Sequence, residues 1–112
     1  MDITIYEDYK KHFLIQDFYE CHEIYEEYWK ATCSPLTFEH PFVILVQVAV
    51  IMEHLKRGNY TGARKLINKT TSHYQKIESL NLDYINEVKF MIFFEKLNLM
   101  VNDENYYYTD FF

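Results

Sequence analysis

The sequence predicts an all-α fold, a compact bundle of four to five helices around a buried central helix at about 38–56. Three observations predict it. Only two Gly and two Pro occur in 112 residues, too few turn formers for an all-β sandwich. Hydrophobic residues make up 49% and aromatics 19%, ample material for a core. Helix-start and helix-stop signals also fall at intervals that leave long uninterrupted segments between them.

The chain reads as one helical domain over 1–112, a size that buries roughly two thirds of the unfolded surface. A short helix or turn occupies about residues 4–14. Asp17 is an N-cap, with Glu20 three positions on completing a capping-box pattern, and the helix it opens runs to about Lys30. "ATCSPLT" is a loop in which Ser34-Pro35 offers a cap and a first-turn proline. The central helix follows over 38–56, with Pro41 as an alternative start. "RGN", Arg57 to Asn59, is the sharpest punctuation: Gly58 can take the left-handed conformation that ends one helix, and Asn59 can cap the next. That helix runs from Tyr60 to about Lys76. After "ESLNLD", Asn81 or Asp83 caps a last helix to about Val101, and an acidic aromatic tail closes the chain at about 102–112.

Charge and cysteine usage narrow the function classes. Seventeen acidic against eleven basic residues give a net charge of −6, and without a basic stripe this excludes nucleic acid as a natural partner. The most apolar stretch, Pro41 to Met52, is shorter than the ~20 residues a membrane span needs, so no membrane role is expected. Asp2, Glu7 and Asp8 interrupt any signal-peptide-like run. Cys21 and Cys33 form no metal-type pair, and free thiols in a reducing cytoplasm are the expectation.

The segment "DFYECHEIYEEYW" (17–29) concentrates polar and aromatic residues. At about 100° per residue, Phe18, Tyr25 and Trp29 define one apolar stripe and His22 lies within it, with Glu26 in reach at i,i+4. The same projection of the central helix puts Val43, Gln47, Val50, Ile51 and His54 on one face, Gln47 and His54 about 10 Å apart along the axis. Inward polar groups on so apolar a helix need partners. His22, Glu26, Gln47 and His54 are therefore the candidate cluster.

"FYECHEIYEEYW", then "VQVAV", then "HLKRGNYTGARKLI" resembles the helical family known as domain of unknown function 309. The residues that carry the resemblance are Phe18, Glu20, His22, Glu23, Glu26, Trp29, Gln47, Ala49, His54, Arg57, Gly58, Asn59, Gly62 and Ala63, within about 13–74. The resemblance implies an all-α bundle and brings no activity with it.

Three uses of the cluster compete. It can be a satisfied polar network, in which His22 shares its ring proton with Glu26 and the set fixes helix register and orients Trp29. It can hold a divalent metal, with His22, Glu26 and His54 as ligands around an open position. It can do metal-free acid/base or small-ligand work, with His22 as base and Glu26 as orienter. For Arg57 the alternatives are pairing with a surface glutamate or anion binding at a pocket mouth. Gly62 and Ala63 allow close helix approach. Cys21 reads as a small core residue, and His12, His40 and His73 as surface or boundary residues without evident partners. Five aromatics in "YYYTDFF" predict a docked tail: on its own bundle, in a homodimer, which is preferred, or on a protein partner through an aromatic surface. The sequence thus reads as a cytoplasmic, non-catalytic binding or assembly module without a resident cofactor. The rival is a metal-dependent or acid/base hydrolase-like enzyme at the cluster.

Overall fold

Tyr6, Tyr9 and Phe13 recur at helical spacing and are all buried, which gives α1, Asp2–Leu14, a single inward stripe. It is the first of five helices in a computed structural model that describes residues 2–112. The others are α2 Phe18–Thr32, α3 Pro41–Lys56, α4 Tyr60–Ile77 and α5 Glu87–Asp103. No strand occurs among the described residues, so the all-α expectation holds, with five helices.

Asp17 caps α2 by accepting from the Glu20 N–H at 3.3 Å. The Asp17 N–H itself goes to the His12 carbonyl at 2.9 Å, which ties the α1–α2 turn together and leaves the predicted capping box half made. α2 buries Phe18, Cys21, Tyr25 and Trp29. Cys21 is a core residue, as expected for a small buried thiol, with its Sγ donating to the Tyr9 carbonyl at 3.3 Å. Ser34 does not cap α3. The chain from 33 to 40 is a loop, and His40 is the cap, its Nδ1 accepting from the Phe42 N–H at 3.1 Å with Pro41 in the first turn.

α3 is the centre of the bundle. Ten of its residues are buried, Gln47 among them, and its principal neighbours are α2 and α4. Tyr9 Oη reaches from α1 to donate to the Leu45 carbonyl at 2.9 Å. Gly58, at φ +76°, makes the left-handed stop. Asn59 then starts α4 by accepting from the Gly62 N–H at 3.0 Å. A left-handed residue followed at once by a cap turns the chain back within three residues, so α3 and α4 form a helical hairpin.

Neither Asn81 nor Asp83 caps the last helix. Asn86 does, accepting from the Lys89 N–H at 3.0 Å. The break is longer than its polar residues suggest because Leu80 and Ile85 turn into the core. Glu87 holds it there by accepting from the Leu80 N–H at 2.8 Å and from Tyr74 Oη at 3.2 Å. The tail docks on its own bundle. Phe111 is 2% exposed, its ring 4.9 Å from those of Phe90 and Phe93 and 5.8 Å from that of Phe13. Tyr106 Oη donates to Gln16 Oε1. Phe111 therefore closes the seam between α1 and α5, and Tyr107 and Tyr108 stay exposed.

α5 is apolar on two sides. Phe90, Phe93, Phe94, Leu97, Met100 and Val101 face the core. Val88, Met91, Ile92 and Leu99 are 65%, 51%, 49% and 55% exposed and, at about 100° per residue, share one outward arc of about 100°. No helix among the described residues is long and apolar enough to cross a membrane.

Candidate functional site

The i,i+4 spacing of α2 does bring His22 and Glu26 together. His22 Nε2 lies 2.7 Å from Glu26 Oε2, and Glu26 Oε1 accepts from Lys30 Nζ at 2.8 Å one turn further on. His22 Nδ1 faces its own helix, 3.3 Å from the Tyr19 carbonyl and 3.6 Å from Glu23 Oε1. His22 is half-buried, at the edge of the apolar stripe rather than within it. The Lys30 hydrogen bond and then the His22 imidazole hold the Glu26 carboxyl below the usual range against the opposing effect of burial. The same hydrogen bond raises the Lys30 ammonium.

The four-residue cluster does not assemble as a unit. His54 turns to the α3–α4 turn, where its Nδ1 accepts from Asn59 Nδ2 at 3.1 Å. It shares with His22 a cleft of about 270 Å³ whose other walls are Phe18, Tyr19, Val50, Glu53 and Arg57. Gln47, two turns earlier on α3, opens instead onto a second cleft of about 390 Å³, lined by Glu26, Trp29, Lys30, Leu36, Phe38, Val43, Val46 and Lys69. The cause is distance along one helix: seven residues advance about 10 Å, more than a hydrogen bond can bridge. The His22–Glu26 pair stands between the two clefts, with His22 lining one and Glu26 the other.

The remaining sequence-derived sites resolve into local structure. Arg57 Nε donates to Glu53 Oε1 at 2.7 Å, the pairing with a surface glutamate, at the mouth of the first cleft. Ala63 is fully buried and packs into the core. Gly62 serves the cap rather than close helix approach: a Cβ there would lie 2.6 Å from Asn59 Nδ2. His12 and His40 do have partners. His12 Nδ1 is 2.9 Å from the Asp8 carbonyl. His40, besides capping α3, places Nε2 3.5 Å from Cys33 Sγ. With Nδ1 accepting from Phe42, neutral His40 carries its proton on Nε2 and points it at the sulfur, joining the end of α2 to the start of α3. The sequence signal for this pair was the Cys33-x₆-His40 spacing across the loop, which only the loop's path makes meaningful.

His22 and Glu26 supply two donors already bonded to each other, and among the described residues no group of three or more His, Cys, Asp or Glu stands together to hold an ion. For acid/base work, His22 Nε2 faces the Glu26 carboxylate and Nδ1 faces the Tyr19 carbonyl; both are acceptors, so a neutral imidazole donates to one of them. The arrangement can brace α2 and, through Asn59, fix the α3–α4 turn.

Among the described residues, three side-chain polar atoms are buried without a hydrogen-bond partner: Trp29 Nε1, Gln47 Oε1 and His73 Nδ1. Periodicity does not reveal such atoms, because it reports which face is buried and not which polar groups on it go unpaired.

The family model described as "Domain of unknown function (DUF309)" matches residues 6–66, a span that contains both histidines of the cluster and ends in α4. The uncharacterized protein YpuF of Bacillus subtilis (strain 168) is 36% identical over 73 residues, covering 62% of this chain and 41% of that protein. The chain thus corresponds to less than half the length of that curated relative. No solved structure matches significantly.

Proposed function

The chain belongs to the DUF309 family, and on that premise we propose that it is a non-catalytic assembly module that pairs with a second copy of itself through the outer face of α5. The observation that carries this reading is the outward arc of Val88, Met91, Ile92 and Leu99, each about half exposed or more. A helix that is apolar on both faces is one with something to bury on each. Burying one such side chain contributes roughly 1.5–3 kcal/mol, and exposed apolar side chains gathered on one helix face suit an interaction surface.

A second copy suits the arc because its charges are self-complementary. Glu95 lies in the middle of the arc and Lys96 beside it, and neither joins an ion pair within the chain among the described residues. In an antiparallel α5–α5 contact centred between positions 95 and 96, Glu95 of each copy meets Lys96 of the other, while Ile92 meets Leu99. This is the isologous geometry of a two-fold dimer. The homodimer expected from the aromatic tail is thereby moved to α5, since Phe111 already serves the chain's own core. α5 lies beyond the residues matched by the family, so the pairing is a property proposed for this chain.

Sedimentation velocity over a range of concentrations tests it. A dimer fraction that rises with concentration, and a folded monomer for Ile92→Glu under the same conditions, is the expected result. A monomer at every concentration up to the solubility limit overturns the reading.

A further inference from the structure

Two side chains that line the second cleft each carry a polar atom that the fold leaves over. Trp29 Nε1 and Gln47 Oε1 belong to side chains 6% and 8% exposed, and neither has a hydrogen-bond partner. They do not bond each other, although both residues line the same cleft between α2 and α3. A buried unpaired polar group is costly, and native ones generally have a reason. The apolar part of the wall is Leu36, Phe38, Val43 and Val46, with Glu26, Lys30 and Lys69 beside it, and the volume of about 390 Å³ is that of a small-molecule site.

The rim adds a charge. Lys30 is neutralised by Glu26 at 2.8 Å, whereas Lys69 joins no ion pair among the described residues. An occupant that satisfies every leftover group therefore has an apolar body, one acceptor, one donor and a negative charge.

We propose that this cleft binds a small amphipathic acid carrying an amide. Its chain lies against Phe38, Val43 and Val46, its carbonyl accepts from Trp29 Nε1, its N–H donates to Gln47 Oε1, and its carboxylate meets Lys69. The site lies on α2, the 33–40 loop, α3 and α4 and is independent of the α5 face, so the two proposals fail separately.

Trp29 is the one tryptophan of the sequence, which makes it an intrinsic reporter. The probe is N-octanoylglycine, titrated by Trp29 emission and, in parallel, by calorimetry. Its methyl ester removes the charge, and N-octanoylsarcosine removes the N–H. Saturable binding of the acid is expected, weakened about tenfold in the ester, as for loss of a charge-assisted hydrogen bond. Lys69→Gln, at an exposed position, should weaken the acid about tenfold and leave the ester unchanged. Gln47→Leu should abolish the preference for the amide over its N-methyl analogue. Absence of saturable binding by both methods overturns the proposal. So does equal binding of acid and ester by the native protein, or an unchanged affinity for the acid in Lys69→Gln.

Discussion

His22, Glu26 and Lys30 form a hydrogen-bonded line along one flank of α2, each one turn from the next, and that line sets what substitution there does. Exposed i,i+4 pairs contribute little. Glu26→Gln is therefore expected to cost no more than about 1 kcal/mol in chemical denaturation at neutral pH, and to leave far-UV circular dichroism unchanged. The pH dependence carries more information. The Glu26 carboxyl is held below its unfolded value, so its contribution is present above the unfolded value and is lost as pH falls through the folded one. Glu26→Gln should accordingly flatten the acid limb of the stability profile, and a limb as steep as in the native protein would contradict this. His73 works in a different window. Burial first, and then Lys69 and Lys76 on the same helix, hold its imidazole below the usual range, with Glu39 opposing. Folded His73 takes up its proton later than unfolded His73, so stability is lost as pH falls from the unfolded value towards the folded one. Titration of the His73 ring by NMR should give a midpoint below ~6.5, and His73→Asn should reduce the loss of stability on mild acidification. The His22–Glu26 contact was legible in the sequence because both groups sit on one helix at a fixed spacing. The unpaired state of Gln47 and Trp29 was not, since it depends on what faces them from other elements.

The α3–α4 turn shows how a few local residues decide an element. Asn59 caps α4 with its carbonyl oxygen and steadies His54 with its amide nitrogen, so Asn59→Ala should destabilise by about 1–2 kcal/mol in equilibrium unfolding. Gly62→Ala sets two effects against each other. Alanine favours the helix by about 1 kcal/mol, but its Cβ would stand 2.6 Å from Asn59 Nδ2 and force the carboxamide off both partners. The substitution should therefore destabilise the native protein and stabilise an Asn59→Ala background, a change of sign that a double-mutant cycle reads directly. The same sign in both backgrounds would remove Asn59 as the reason for glycine. "RGN" was readable because caps act within four residues of themselves. Asn86 was missed in favour of Asn81 and Asp83 for the opposite reason: burial of Leu80 and Ile85 is a tertiary event that delays the start of α5. His40 was missed as the cap of α3 because Ser34-Pro35 offers the same local signal, and only the path of the 33–40 loop chooses between them.

At the scale of the whole molecule, Phe111 joins the two ends of the chain. Its ring lies against Tyr9 and Phe13 of α1 and Phe90 and Phe93 of α5, so Phe111→Ala should cost about 3–5 kcal/mol in denaturant unfolding. A loss below about 1 kcal/mol, the range of surface substitutions, would mean that the tail lies on the bundle without holding it. The all-α class was legible from the scarcity of Gly and Pro, and α3 as its centre from the run Pro41–Met52. The grouping of four polar residues into one site was not, because helical projection fixes the angle of a side chain but not the level at which a neighbouring helix meets it. That step separated Gln47 from His54, and the surface proposed for assembly is instead the outward face of α5. The central claim is therefore an α5–α5 contact in which Glu95 of one copy meets Lys96 of the other. Its most direct test is a charge swap read by sedimentation equilibrium on Glu95→Lys, Lys96→Glu and the doubly exchanged protein. Each single reversal should weaken the dimer and the double exchange should restore it, with a coupling of about 1–2 kcal/mol; a double exchange no tighter than the sum of the single effects would contradict the contact.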